Sequence, residues 1–182
     1  MKSIVEVLKN GGTILYPTDT IWGIGCDAMN PDAVKKVFKI KNRAESQSFI
    51  ILVDTEKRLQ DLVDVPEMAW VIMDLSEKPV TIVYEKSEIL PKELLARDGS
   101  IGIRLTKNEL CKKLISKLDR PIVSTSANFS GEKSPRIFSD INPEIIKSVD
   151  YCIEEDEESP LSYTASSVIR VGSRNQIKVI RE

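Results

Sequence analysis

The sequence predicts an α/β (α+β) fold, in which helices flank a twisted mixed β-sheet and leave a concave ligand groove. Short apolar runs alternate along the chain with segments whose apolar residues recur every three or four positions, the spacings of strands and of helices. The last two runs, residues 164–171 and 176–181, flank a turn at residues 172–175 and are expected to pair as a hairpin. Because hairpins join antiparallel strands, a mixed sheet is favoured over a purely parallel one.

The composition predicts one soluble domain over residues 1–182. Of the 182 residues, 30% are charged and 41% apolar, and the formal net charge is −2. This length suits one sizeable core. The longest apolar run, residues 68–73, is far shorter than the ~20 residues of a membrane helix. Residues 1–8 lack the cleavage site of a signal peptide, so we expect a cytoplasmic protein with no membrane partner.

Residue types that are rare or absent limit the chemistry. The chain has no histidine, which excludes histidine-based triads, imidazole general bases and histidine-ligated metals. Its three cysteines, Cys26, Cys111 and Cys152, are odd in number and widely spaced, which predicts free thiols. No metal site made by the protein is expected.

The first strand leads directly into polar residues. A helix is predicted over residues 3–9 and a buried strand over residues 13–16, which Pro17 ends before the polar residues 18–20. Gly23 and Gly25 follow, and their lack of side chains is expected to let the backbone approach a ligand closely.

The second helix ends in two cations. Asn30 is its expected N-cap and Pro31 its first residue, and helical spacing holds over residues 33–40. Lys41 then falls at the margin of the apolar stripe, and Arg43 follows two residues later. Two cations there suit a polyanion such as a triphosphate. Cations at a helix C-terminus also offset its dipole, so a solvated helix end is the alternative.

The rest of the chain continues the alternation of strands and helices. Strands are predicted over residues 49–53, 80–84, 100–105, 121–123 and 151–153, and helices over residues 56–63, 66–75, 92–97, 108–118 and 140–149. Residues 154–158 form an acidic run that is typical of a solvated loop.

Two later segments add polar groups to predicted strands. Arg104 shares a strand face with Gly102, which indicates either a carboxylate clamp or an edge-strand arginine in solvent. Residues 124–131, STSANFSG, are expected to continue the strand at 121–123 and to place hydroxyls and an amide at its carboxyl end. That position is the favoured ligand site of α/β sheets, although such runs also form ordinary loops.

These segments, in this order and spacing, resemble the YrdC-like family, the single-domain L-threonylcarbamoyladenylate synthases. The resemblance covers nearly the whole chain and implies a YrdC/RibB-like fold. It rests on residues 16–20 (YPTDT), residues 22–25 (WGIG), the K-x-R pair Lys41 and Arg43, the strand at 100–104, and residues 124–131 with their S-x-N element. The chain departs from the family pattern at Ala44, where a proline is common.

The resemblance implies a reaction and its site. The family forms threonylcarbamoyl-AMP and pyrophosphate from L-threonine, bicarbonate or CO2, and ATP, for the threonylcarbamoyladenosine modification of tRNA. The residues implied for L-threonine are Thr20, Arg104, Ser126 and Ser166. Those implied for ATP are Lys41, Arg43, Gln47, Ser100, Asn128, Arg136 and Arg181, with Lys41 and Arg43 as the catalytic pair.

The resemblance also implies a cofactor and partners. Mg²⁺ is expected to be held mainly by the nucleotide. A downstream threonylcarbamoyl-transferase complex is the implied receiver of the product, and tRNA or double-stranded RNA is a candidate partner.

Two other functions remain open. In the first, the basic segment at residues 35–43 binds phosphates of structured RNA or tRNA without catalysis, although the net charge of −2 gives no general electrostatic reason for it. In the second, the chain is a carbamoyl-transfer domain of the hydrogenase-maturation type. The usual companions of that domain, an acylphosphatase-like region and cysteine-rich zinc motifs, are missing from this sequence.

Overall fold

The computed structural model describes residues 1–44, 48–135, 137–153 and 164–182, so the acidic run at 154–158 lies outside the described residues. The helices are α1 (Lys2–Lys9), α2 (Pro31–Ile40), α3 (Glu56–Gln60), α4 (Glu67–Leu75), α5 (Glu109–Leu118) and α6 (Pro143–Ser148). The strands are β1 (Thr13–Tyr16), β2 (Gly23–Cys26), β3 (Ile50–Val53), β4 (Val80–Tyr84), β5 (Ile101–Leu105), β6 (Ile122–Ser126), β7 (Tyr151–Cys152), β8 (Ser167–Val171) and β9 (Ile177–Arg181).

These strands form one mixed sheet in the order β7-β1-β2-β6-β3-β5-β4-β8-β9. The pairs β1/β7, β3/β5 and β4/β8 are parallel, and the other neighbours are antiparallel. The mixed sheet flanked by helices is therefore confirmed, and so is the closing hairpin, in which Val171 lies opposite Ile177.

Helices cover the two faces of the sheet unequally. Ile51 and Leu52 are neighbours on β3 and belong to different core clusters, because successive side chains of a strand point to opposite faces. Residues of α2, α3, α4 and α6 pack in the first cluster, and residues of α1 and α5 pack in the second. The second cluster reaches only part of its face, so Arg104, which lies opposite Leu52, is left beside an open region.

The caps of α2 form as the sequence predicts. The Asn30 side chain accepts hydrogen bonds from the backbone N–H groups of Asp32 and Ala33, and Pro31 occupies the first helical position. Other predicted bounds were too long: residues 92–97 contain only a 3₁₀ turn at Lys92–Leu94, and the helix predicted over 140–149 is α6. No helix in the part of the chain that the structure describes has both the length and the apolar character to cross a bilayer.

The strand predicted to run on through residues 124–131 stops at Ser126, so that part of the prediction was wrong. The N–H of Asn128 donates to the carbonyl of Ser126 at 2.9 Å, and the N–H of Ala127 donates to the carbonyl of Trp22, also at 2.9 Å. These bonds turn the chain out of β6. We call residues 126–130 the β6 ribbon.

The expectation that Gly25 serves a ligand was also wrong. Gly25 lies within β2, where an added Cβ would approach the carbonyl oxygen of Val123 to 2.5 Å and Cε1 of Tyr16 to 2.7 Å. The glycine therefore makes room for a neighbouring strand and for a buried aromatic ring. Gly23 differs, since its nearest heavy atoms would lie 3.4 Å or more from a Cβ, and it borders a cleft.

This difference predicts unequal effects of two matched substitutions. We expect Gly25→Ala to lower the free energy of unfolding by about 1–3 kcal/mol, because backbone and ring atoms must move to admit the methyl group. Gly23→Ala, two residues away in the same strand, is the control and should change it by less. Urea unfolding of both variants measures the difference, and equal stabilities would contradict the steric explanation.

Candidate functional site

A cleft opens on the part of the sheet that α1 and α5 leave uncovered. Its lining comes from residues 18, 20–23, 48–50 and 124–126, with Arg43, Arg104, Ser134, Ala165, Ser166 and Arg181. Its volume is about 210 Å³, below the ~300–1,000 Å³ of pockets for drug-sized ligands. The enclosed part therefore suits a molecule of amino-acid size. Beside Arg43 the surface continues into an open depression of about 460 Å³.

Arg104 is the most deeply buried cation of the cleft. It lies on β5, between β3 and β4, and is 4% exposed, so the alternative of an edge-strand arginine in solvent was wrong. One terminal nitrogen donates to the Thr20 hydroxyl at 3.2 Å, and the other lies 3.4 Å from Asp19 Oδ1. Its Nε is buried and has no acceptor. Because buried donors are nearly always paired in proteins, this N–H is a candidate donor to a ligand anion.

Two further arginines border the same cleft. Arg43 donates to the carbonyl of Ser48 at 2.9 Å and lies 5.1 Å from the centroid of the Phe49 ring, and its Nε also lacks an acceptor. Arg181 donates twice to the carbonyl of Ser166, at 3.1 and 2.8 Å. Burial lowers the pKa of both guanidinium groups, yet arginine stays protonated in proteins. The cleft is therefore strongly cationic.

Lys41 does not lie at the margin of the packed face, as its spacing predicted, but is 2% exposed. Its ammonium group donates to the carbonyls of Ser126 and of Asn128, the latter at 2.7 Å, and its own carbonyl accepts from the N–H of Ser130 at 2.9 Å. Lys41 thus joins the end of α2 to the β6 ribbon. It is absent from the cleft lining, which makes Arg43 the member of the K-x-R pair that faces the cleft.

Burial and the nearby charge of Arg43 lower the pKa of Lys41 to about 8. An unfolded chain holds this proton up to the ordinary lysine pKa of ~10.4, so between about pH 8 and ~10.4 the unfolded state binds more protons. We therefore expect the free energy of unfolding to rise with pH across that window in the native chain, relative to Lys41→Met. Denaturant unfolding at several pH values checks this, with Lys39→Met as the control. The expectation would be contradicted if the free energy of unfolding of the native chain, minus that of Lys41→Met, stayed constant or fell as the pH rises.

The residues predicted for L-threonine meet in the cleft. Thr20, Arg104, Ser126 and Ser166 all line it, although they come from four separate segments. The hydroxyl of Ser166, which directly precedes β8, shares a hydrogen bond of 2.8 Å with the hydroxyl of Thr81 on the neighbouring strand β4. This bond fixes the position of the Ser166 side chain.

The residues predicted for ATP are brought together only in part. Arg43 and Arg181 line the cleft, whereas Ser100 and Asn128 do not. The Ser100 hydroxyl donates to Asp98 at 2.6 Å, and the Asn128 amide donates to the carbonyl of Glu132 at 2.8 Å. Gln47 and Arg136 lie outside the described residues.

Sequence reasoning did not single out Trp22 as a site residue. Its indole is fully buried, packs 5.0 Å from the ring of Phe138 between centroids, and borders the cleft, and its Nε1 has no acceptor. The signal available was its place in the WGIG motif, two residues after the predicted site residue Thr20.

No cysteine is among the described residues that line the cleft. All three cysteines are free thiols, as predicted, and burial raises the pKa of Cys111 to about 12, which disfavours its nucleophilic thiolate. Within residues 1–44, 48–135, 137–153 and 164–182, no three acidic or cysteine side chains are grouped so that they could hold a metal.

The fold and the site together define an α/β protein with a mixed sheet and an arginine-lined cleft whose charge and size suit small anionic molecules. The chain belongs to the Sua5/YciO/YrdC family, whose sequence profile, described as "Telomere recombination", matches residues 6–182.

Individual proteins that are similar to this chain have more specific names. A putative threonylcarbamoyl-AMP synthase of Methanocaldococcus jannaschii is 34% identical over 158 residues, covering 84% of this chain and 74% of that protein. A threonylcarbamoyl-AMP synthase of Coxiella burnetii is 33% identical over 130 residues, 70% of each chain. The crystal structure of Pyrococcus abyssi Sua5 complexed with L-threonine matches with a TM-score of 0.85 and 26% identity. That match covers 93% of this chain and 50% of the other, so this chain spans half of that relative.

Proposed function

We propose that the chain is an L-threonylcarbamoyladenylate synthase, a nucleotidyltransferase that forms threonylcarbamoyl-AMP and pyrophosphate from L-threonine, bicarbonate or CO2, and ATP. The observation that carries this proposal is the buried Arg104, whose Nε has no acceptor, in a cleft of amino-acid size. The names of its relatives support the same reaction.

In this proposal Arg104 binds the α-carboxylate of L-threonine. A carboxylate supplies the acceptor that its Nε lacks, and a guanidinium holds a carboxylate by two parallel hydrogen bonds. Thr20, Ser126 and Ser166 then lie within the same cleft to contact the rest of the amino acid.

The reaction needs no covalent enzyme intermediate. The amine of threonine combines with CO2 to give a carbamate and releases a proton. A carbamate oxygen forms a bond to the α-phosphorus of ATP as the bond to the pyrophosphate oxygen breaks. Holding the two reactants together contributes ~7–11 kcal/mol at best. Cationic groups that stabilise the charge of the phosphates supply a further large share.

The nucleotide extends from the enclosed cleft past Arg43 into the open depression, since the cleft alone holds little more than an amino acid. Arg43 and Arg181 then neutralise phosphate charge. Gln47, Ser100, Asn128 and Arg136 remain predicted nucleotide residues. Mg²⁺ would accompany ATP and would be held mainly by the nucleotide, which suits a cleft whose charged lining residues are arginines.

Lys41 has two possible parts in this mechanism. The sequence predicts that it neutralises the triphosphate directly, which would require its ammonium group to leave the carbonyls of Ser126 and Asn128. In the arrangement seen, it holds the β6 ribbon and thereby the position of Ser126 in the cleft.

The alternative of an RNA-binding module has less support. Lys36 donates to the carbonyl of Gly11 at 2.8 Å, Lys35 lies 3.3 Å from Glu93, and Lys41 is buried. The basic segment is therefore not a row of free cations, which phosphate binding along RNA favours.

Incubation of the protein with labelled bicarbonate, L-threonine and ATP tests the proposal. We expect a labelled adenylate and one equivalent of pyrophosphate, and neither product when threonine is omitted. Absence of the adenylate together with salt-sensitive binding of tRNA would favour the RNA module instead. The transferase complex that would receive the adenylate, and the extent of the domain over residues 1–182, remain predictions.

A further inference from the structure

A second cavity lies next to the cleft and has no part in the proposed reaction. It is about 420 Å³ in volume, within the range of small-molecule pockets. The end of α4, the start of β4 and the end of β5 surround it, and Trp70, Met73 and Leu105 give it an apolar lining. We call it the α4 cavity.

Most charged groups of the α4 cavity are acidic, and most have no ion-pair or hydrogen-bond partner among the described residues. Its lining includes four carboxylates and two lysines, namely Asp19, Glu56, Asp74, Glu77, Lys78 and Lys107. Apart from Asp19, these side chains make no ion pair or side-chain hydrogen bond among the residues that the structure describes. They are therefore available to a ligand, and because the three remaining carboxylates outnumber the two lysines by one, their sum favours a cation.

Two further features favour a cation in the same place. The α4 helix ends at Leu75, and Asp74 and Ser76 of this end line the cavity. The carboxyl end of a helix carries the negative pole of its dipole. The indole of Trp70 also lines the cavity, and aromatic rings attract ammonium groups through their electron-rich faces.

We propose that the α4 cavity is a second binding site, for an organic amine whose aromatic or aliphatic body lies against Trp70 and Met73. The ammonium group pairs with the carboxylates that line the cavity, Asp19 among them, and the apolar body leaves water. This site does not depend on the proposed reaction.

Asp19 connects the two sites. It lines the α4 cavity, and its Oδ1 lies 3.4 Å from the terminal nitrogen of Arg104, which lines the cleft. An amine that pairs with Asp19 partly neutralises this carboxylate, so Asp19 then offsets less of the positive charge of Arg104. Carboxylate binding in the cleft should then become tighter, and the coupling must be reciprocal. This second step rests on the proposed function, since it takes L-threonine as the carboxylate ligand.

Phenethylamine is the probe for the site, measured against the full chain by titration calorimetry. We expect it to bind at least several-fold more tightly than the neutral isostere 2-phenylethanol and than 3-phenylpropionate. Glu77→Gln and Asp74→Asn should each weaken amine binding roughly 2- to 5-fold, as expected for partly exposed ion pairs. Glu6→Gln, an exposed acid on α1 at the other face of the sheet, is the control and should change nothing. Equal binding of amine and alcohol, equal effects of all three variants, or no binding at millimolar concentration would overturn the proposal.

Fluorescence locates the bound probe. The chain has two tryptophans, and Trp22 is fully buried away from the α4 cavity lining. Phenethylamine should change the emission of the native chain, and Trp70→Phe should abolish that change while calorimetry still detects binding. An unchanged signal in Trp70→Phe would place the amine elsewhere and overturn the assignment.

The coupling has its own test. Saturating phenethylamine should tighten L-threonine binding by roughly 5-fold, near the lower end of usual couplings, and threonine should tighten amine binding by the same factor. Asp19→Asn should remove the coupling. Amine binding without any coupling would overturn the link through Asp19 but not the proposed amine site. Amine binding with no threonine binding at all would instead count against the proposed function.

Discussion

Replacing Arg104 with alanine is expected to raise the L-threonine concentration that half-saturates pyrophosphate release by roughly 30-fold or more. The guanidinium is 4% exposed and is the cation placed beside Thr20 in the enclosed part of the cleft. Removing one member of a buried, hydrogen-bonded charge pair typically costs ~2–5 kcal/mol, and ~1.4 kcal/mol corresponds to a factor of ten. Initial rates at varied threonine and fixed, saturating ATP measure the change.

Two variants make this test specific. Arg104→Lys keeps the charge but not the planar fork, so we expect it to recover only part of the affinity. Arg170→Ala is the matched control, since Arg170 lies on the nearby strand β8 and pairs with Asp98, away from the cleft lining. Because Arg104→Ala also leaves Asp19 without its partner, unfolding of each variant must be followed. A change confined to the ATP requirement would refute the assignment of Arg104 to the carboxylate.

Lys41→Met is expected to lower pyrophosphate release by roughly 100-fold or more. If the ammonium group contacts the triphosphate, the variant removes that positive charge, and a single lost electrostatic contact of this kind typically costs ~10²–10³ in rate. It also leaves the carbonyls of Ser126 and Asn128 without their donor, so the free energy of unfolding should fall by about 1–3 kcal/mol. Pyrophosphate assays and denaturant unfolding measure the two effects separately.

The kinetic constants distinguish the two parts that Lys41 can have. If it acts by holding the β6 ribbon, Lys41→Met should weaken threonine binding through Ser126 as well as slow turnover. If it contacts the triphosphate, the change should be confined to ATP and to kcat. Lys117→Met, an exposed position on α5 that lines neither the cleft nor the open depression, is the control. Normal turnover by a folded Lys41→Met variant would exclude both roles.

Local patterns predicted the fold well, because short-range contacts decide most of it. Asn30 and Pro31 start α2 through bonds within one helical turn, and alternation on β5 places Ile101 and Ile103 in the core while Arg104 points to the other face. The closing hairpin likewise needs only its own turn and two adjacent strands.

The errors occurred where residues far apart in the sequence meet. The spacing of α2 placed Lys41 at the edge of an apolar stripe, and nothing in that helix indicates that the β6 ribbon covers it. Gly25 was expected to make room for a ligand, whereas the ring of Tyr16 and a carbonyl of β6 occupy that space. Both contacts depend on which strands are neighbours, which periodicity does not reveal.

The sequence by itself determined most elements of this protein and its lack of imidazole chemistry, since these follow from composition and from spacings of a few residues, whereas its site residues were implied by the family resemblance. Only the tertiary structure decided that Arg43, Arg104 and Arg181 share one cleft and that Lys41 is turned away from it. The physical reason is the strand order: a sheet that runs β6-β3-β5-β4-β8-β9 brings side chains from distant segments onto one face, and no local interaction specifies that order.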